Sequence, residues 1–144
     1  MVTYLMRARG TRKALFVHPG PLLYTKVFLR LEPLGLELVA EVARRAGNAV
    51  KIIDLQVEEH VDYEQLITQW RPDFIAFSCN YLANVPEIVD LAKKTKTTLP
   101  RSFICVGGHS ASFVAHALLV HGEGSSTAYS KARARRGLSR LWRP

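Results

Sequence analysis

From Lys13 onward, short apolar runs alternate with stretches whose apolar positions recur every three or four residues, the pattern of βαβ units built on a parallel sheet. Ala14-Leu15-Phe16-Val17 reads as a first strand, β1. After a long loop bearing Pro and Gly, Pro33 opens a helix, α1, whose Leu36, Val39, Val42, Ala43 and Ala46 share one face and whose C-terminal cap is Gly47. Val50 to Leu55 reads as β2. Asp62 with Gln65 three positions on gives a capping-box start to α2, which turns Leu66, Ile67 and Trp70 inward and ends at Pro72. Asp73 to Ser78 is β3, apolar on both faces as a strand covered on two sides should be. Asn84 with Glu87 starts α3, which buries Ile88, Leu91 and Ala92 and stops by Pro100. Phe103 to Val106 is β4 and runs straight into Gly107-Gly108, and a weaker helix, α4, is expected from about Ser112 to His121 with Phe113, Ala117 and Leu118 on one face.

The pattern then fails. A doubly wound sheet calls for a fifth strand, yet residues 125–144 hold Ser, Ala, Arg and Gly with neither strand nor helix logic, so four strands are expected here and the fifth is expected to be lost. Read one frame over with GC-rich codons, Ser126 to Gly137 can become Ile-Asp-Cys-Val-Leu-Lys-Gly-Glu-Gly-Glu-Ala-Gly, a buried strand running into a glycine-rich acidic turn. That is the missing element at the missing place. The expectation is a frameshift after about residue 124. It divides the chain into a non-core extension over 1–12, an incomplete α/β domain over 13–124 and a basic, disordered tail over 125–144.

Composition changes the picture in one respect. The net charge of +8 suggests nucleic acid until it is mapped, because runs of like charge usually mark tails. Of 20 basic residues, Arg7, Arg9 and Arg12 lie in the extension and Lys131, Arg133, Arg135, Arg136, Arg140 and Arg143 lie in the tail, leaving 11 against 12 acids for residues 13–124. The globular part is nearly neutral, so no specific nucleic-acid partner is expected. No window approaches the run of about 18 to 20 apolar residues that spans a bilayer, and Met1 to Arg12 has no apolar signal core, which points to a cytoplasmic protein without a transmembrane segment. Cys79 and Cys105 lie 26 positions apart, match no metal or redox spacing, and read as buried free thiols.

In open parallel sheets ligands lie beyond the carboxyl ends of the strands, which directs attention to 18–30, 78–83 and 107–112. Gly107 and Gly108 allow a ligand close to the backbone, and Ser78 offers a hydroxyl at the neighbouring strand end. A tight turn after a buried strand is the plainer reading of two glycines taken alone. His109 follows them at the strand mouth, whereas His18, before Pro-Gly-Pro, reads as a loop residue, and His60, His116 and His121 read as surface or helix positions. Tyr24, Lys26, Phe28 and Arg30 fall in a βα connection long enough to serve as a lid.

Taken together, Glu32-Pro33-Leu34-Gly35-Leu36-Glu37-Leu38, the passage from Gly47 to Asp54, the Arg71-Pro72-Asp73 entry, Ser78, and Val106-Gly107-Gly108-His109 resemble the N-terminal cobalamin (B12)-binding domain of B12-dependent radical SAM enzymes, most of all the hopanoid C-3 methylase type. The resemblance covers 13–124. It implies a flavodoxin-like, doubly wound parallel sheet with cobalamin across the strand ends, its nucleotide tail near Ser78, Gly107 and Gly108, and further cofactor contacts from Asn80, His109 and Tyr24. It also implies a radical SAM barrel as the packing partner, whose iron-sulfur cluster would cleave S-adenosylmethionine while methylcobalamin supplied the methyl group to an unactivated carbon. Two motifs of the wider family are missing from this chain. DxHxxG, which supplies a histidine to cobalt, is replaced after β1 by His18-Pro19-Gly20-Pro21, so no protein ligand to cobalt is expected; CxxxCxxC is absent, so the chain itself has no catalytic apparatus.

The competing reading is a receiver-like signalling or partner-binding module on the same topology. Its chemistry needs acids after β1 and a phosphorylatable Asp after β3, where this chain has His18-Pro19 and Ser78-Cys79. A flavodoxin is disfavoured because no Ser/Thr/Gly phosphate loop follows β1.

Overall fold

A computed structural model describes residues 11–20 and 32–115, together with the backbone of 128–129. Its strands are β1 (Lys13–His18), β2 (Ala49–Asp54), β3 (Phe74–Ser78), β4 (Phe103–Gly107) and β5 (Ala128–Tyr129). They pair in parallel in the order β2-β1-β3-β4-β5, with Ala14 beside Val50 and Phe74, and Phe74 beside Phe103. This is the flavodoxin-like order expected from the sequence. Its switch point falls between β1 and β3, because the chain leaves β1 towards β2 on one side and resumes with β3 on the other.

The side-chain alternation of the strands sorts the core into two layers. Ala14, Phe16, Phe74, Ala76 and Cys105 face α1 (Leu34–Arg45), which buries Ala40 and Ala43 against them. Leu15, Val17, Ile53, Ile75, Phe77, Ile104 and Val106 face the other way, towards α2 (His60–Trp70) and α3 (Val85–Thr98), which contribute Tyr63, Ile67, Ile88, Leu91 and Ala92. Within this layer the Tyr63 hydroxyl pairs with Thr95, whose Oγ1 also bonds the Leu91 carbonyl, so this buried phenol is satisfied. Ile75 is fully buried. Truncating such a residue to Ala typically costs about 2 to 5 kcal/mol.

Several element ends differ from the sequence expectation. Glu59, not Asp62, occupies the N-cap of α2, and Asp62 is the N3 residue whose carboxylate accepts the Glu59 N–H at 2.9 Å. The Asp62-Gln65 spacing resembled a capping box, but the box lies one turn earlier in the chain. Ala46 follows the end of α1 and is exposed. A further helix, α4, begins at 111, one residue ahead of the expected start, and is described to 115. Gly107 belongs to β4 and pairs with Ser78 in register, so only Gly108 makes the turn.

The expected loss of the fifth strand needs correction as well. Ala128 and Tyr129 pair in parallel with Cys105 and Val106 at the open edge of β4. Sheet pairing uses main-chain groups, so a two-residue strand can form where the side-chain pattern announces none. The rest of the predicted disordered tail, 125–127 and 130–144, and residues 1–10 of the extension lie outside the described residues, as do Lys26, Phe28, Arg30, His116 and His121. No helix among the described residues is long and apolar enough to cross a membrane.

Candidate functional site

Where β3 and β4 end, their loops are locked together by main-chain groups. The Cys79 N–H donates to the Gly107 carbonyl at 2.6 Å, and the Cys79 carbonyl accepts from the Ser110 N–H at 3.0 Å. Ser110 Oγ donates to the Asn80 carbonyl at 2.8 Å, and Asn80 Oδ1 accepts a long bond from the His109 N–H at 3.4 Å. Gly108 has φ +111°, and a Cβ there would stand 2.6 Å from the Cys79 carbonyl oxygen and 2.9 Å from Asn80 Oδ1. The double glycine therefore has a more local purpose than expected: Gly108 lets the two loops touch, while Gly107 continues the strand beside Ser78.

Ser78, Asn80, Gly107, Gly108 and His109, all expected at the site, are thus brought to one place. Ser78 is buried at the strand end, whereas Asn80 and His109 are exposed at the rim. Tyr24, the remaining candidate, lies outside the described residues. Apolar side chains complete the rim and were missed by the sequence reading of the site. Tyr81 and Leu82 follow β3 with 50% and 57% of their surface exposed, and Phe113 on α4 is 75% exposed. The His109 ring meets the Phe113 ring edge-on at 5.6 Å between centroids. Their position just after strand ends was the available signal, since exposed large apolar groups beside a strand mouth suit a broad, partly apolar ligand.

The β1 end is built differently. His18 is the last residue of β1 and is 7% exposed, not the loop residue that Pro-Gly-Pro suggested. Among the described residues its Nδ1 has no hydrogen-bond partner. Burial lowers the His18 pKa, against the opposing pull of the Asp54 and Glu87 carboxylates, so the ring is held neutral. Two residues on, the Gly20 N–H donates to both oxygens of Glu87 at 3.0 Å, and the Gly20 carbonyl accepts from Asn84 Nδ2 at 3.0 Å. His60, an exposed residue at the start of α2 in line with the surface or helix position expected, has its Nε2 2.7 Å from Glu87 Oε1. Asn84 and Glu87 had been read as the cap of α3, but Asn84 makes no side-chain capping bond there.

Among the described residues, no group of three His, Cys, Asp or Glu side chains could hold a metal ion, which sets His18, Asp54, Glu87 and His60 apart from a metal centre. Both cysteines are free and buried, and burial pushes the Cys79 thiol up to about 11, as expected of inert core thiols.

The strands β2 through β5, and the chain from Gly20 just after β1, fall inside one family match: a sequence profile described as the B12 binding domain covers residues 20–129. The chain belongs to the B12-binding domain family. Its cofactor is therefore cobalamin, and the receiver-like alternative is set aside. A hopanoid C-3 methylase of Methylococcus capsulatus (strain ATCC 33009 / NCIMB 11132 / Bath) is 65% identical over 112 residues, which is 78% of this chain and 22% of that protein. The chain thus spans about a fifth of the length of this curated relative. A crystal structure of a cobalamin-binding protein from Desulfitobacterium hafniense DCB-2 superposes with a TM-score of 0.63 at 11% identity, covering 83% of this chain and 53% of that one, and shares the fold.

The mouth suits the family's cofactor on its own chemistry. Cobalamin is a wide macrocycle with apolar edges, peripheral amides and a nucleotide tail. The strand ends offer it the exposed apolar groups Tyr81, Leu82 and Phe113, the amide of Asn80, and the buried, unpartnered Nδ1 of His18.

Proposed function

We propose that this chain forms the cobalamin-holding part of a B12-dependent radical SAM methylase of the hopanoid C-3 type, and that it binds and orients the cofactor without carrying out chemistry itself. The observation that carries the reading is the 65% identity to the methylase over 112 residues, with the expected residues Ser78, Asn80, Gly107, Gly108 and His109 meeting at one edge of the sheet. In this reading the bound cofactor carries the methyl group to be transferred, and the protein positions and shields it. Ser78 and the Gly107 backbone border the nucleotide tail, Asn80 and His109 meet peripheral amides, and Tyr81, Leu82 and Phe113 lie against the macrocycle. Tyr24 is assigned to the same contact from sequence alone. Cluster chemistry and S-adenosylmethionine cleavage belong to a barrel domain of the longer relative, which would pack over this edge, in the cytoplasm.

The same proposal covers the ends of the chain: 1–12 as an extension, 13–124 as the binding domain, and 125–144 as a tail read out of frame. It is supported by the charge map, which sets the basic ends apart from the nearly neutral middle. Coding DNA past codon 144 should continue, one frame over, into a CxxxCxxC motif; clean DNA with no such motif in any frame contradicts the frameshift.

Titration of the 144-residue chain with hydroxocobalamin, followed by absorbance, tests the binding itself. Saturable binding is expected, and the EPR signal of the cob(II)alamin form should be the same in His18→Ala as in the wild type, because no protein histidine is expected on cobalt. Absence of binding by both this chain and a frame-restored version overturns the assignment. Nitrogen splitting that disappears in His18→Ala overturns the ligand-free part.

A further inference from the structure

The geometry points to Glu87 and Asn84 as positioning residues of the cofactor mouth: together they fix the Gly20 peptide at the switch point, with His60 bracing the Glu87 carboxylate from α2. This rests on the cobalamin reading above and goes beyond it, because neither residue lies among the strand-end contacts.

Glu87 Oε1 and Oε2 each stand 3.0 Å from the Gly20 nitrogen, and Asn84 Nδ2 stands 3.0 Å from the Gly20 oxygen. Both polar groups of one residue are thus held by side chains 64 and 67 positions away in the sequence. The approach is close. A Cβ on residue 20 would meet Glu87 Oε1 at 3.0 Å and the Leu55 carbonyl at 3.3 Å, so the site is shaped for glycine. On the far side His60 Nε2 lies 2.7 Å from Oε1, and the Glu87 side chain is only 15% exposed. The loop following β1 and the first residue of α2 therefore meet on one carboxylate carried by α3.

Asn is among the best N-cap residues, and Glu at the third helical position is the usual partner of a capping box. Here Asn84 occupies the N-cap position of α3 without a side-chain capping bond, and both residues turn to Gly20 instead. A local rule broken in favour of a long-range contact marks a place where the position of the loop matters more than the end of the helix. Gly20 is the point at which the chain leaves the sheet beside the switch, and a ligand in this fold lies against that exit. Fixing it beforehand removes an ordering cost from binding.

The test uses the full 144-residue chain and two readouts: amide exchange at Gly20 by NMR, and hydroxocobalamin affinity by absorbance. Glu87→Ala should speed Gly20 exchange and weaken cobalamin binding, each by about tenfold, as lost support around a site typically does. Glu87→Gln, which keeps an acceptor oxygen, should recover most of both. Asp90→Ala, an exposed acid on the same helix, should change neither. If Glu87→Ala does not fold, Asn84→Ala should move both readouts in the same direction by about threefold. Unchanged Gly20 exchange in these variants overturns the clasp, and faster exchange at unaltered affinity overturns its role in binding. Absence of cobalamin binding by both the wild-type chain and its frame-restored version, while Gly20 exchange still depends on Glu87, removes the cofactor reading and leaves the clasp in place.

Discussion

At the β3–β4 side of the mouth, main chain holds main chain, through the Cys79 carbonyl, the Ser110 N–H and a glycine whose missing side chain permits the contact. At the β1 side, main chain is held by the side chains of Glu87 and Asn84 reaching from α3. The first kind of closure depends mostly on backbone conformation, with side-chain bonds from Ser110 Oγ and to Asn80 Oδ1 beside it, and admits no Cβ at Gly108. The second depends on residue identity and can be loosened one hydrogen bond at a time. One half of the mouth is therefore a fixed wall, and the other is adjustable by single substitutions.

Breaking the fixed wall should have the largest effect. Gly108→Ala places a Cβ 2.6 Å from the Cys79 carbonyl oxygen at φ +111°. Strain and displacement together should cost roughly 2 to 4 kcal/mol in urea unfolding. A cost below about 0.5 kcal/mol would show that the loops can part freely. The sequence reading gave this glycine to the ligand; the nearer constraint is the loop beside it, so cobalamin affinity in the variant should fall through the displaced loop.

The β1 side should respond to pH. His18 has a folded-state pKa below its ordinary value, because burial outweighs Asp54 and Glu87. The folded state therefore binds fewer protons than the unfolded one in the window beneath the ordinary value of about 6.5. Its contribution is intact above that pH, declines as pH falls towards the lowered value, and declines no further below it. Urea midpoints of the wild type should drop between pH 8 and pH 5 more than those of His18→Gln. Parallel pH profiles for the two proteins would contradict the buried neutral imidazole.

Asn84→Ala removes the donor to the Gly20 carbonyl and should cost about 1 kcal/mol, measured by the same unfolding experiment. Smaller still is Phe113→Ser at the exposed rim, expected within about 0.5 kcal/mol of wild type in stability while weakening cobalamin binding. A large stability loss there would place Phe113 in the core.

The framework was legible because its periodicities are strong. Phe74-Ile75-Ala76-Phe77 can be little other than a central strand, and Ile88, Leu91 and Ala92 at helical spacing sit inward as expected. The strand-end residues followed from the rule that places ligands in such sheets. What was not legible depended on contacts distant in sequence. Nothing local to Asn84 and Glu87 tells a helix cap from a clasp on Gly20, and nothing local to His18 tells a loop imidazole from a buried strand end. The two-residue β5 escaped because its pairing requires only backbone groups against an open edge.

The most direct test of the account is hydrogen exchange of the 144-residue chain with and without hydroxocobalamin, resolved to single amides. If the carboxyl edge of the sheet holds the cofactor, protection should appear at Gly20, at Cys79 to Leu82 and at Gly108 to Phe113, with the outer face of α1 unchanged. Protection confined to α1, or saturable binding that leaves those strand-end amides exchanging as before, would contradict it.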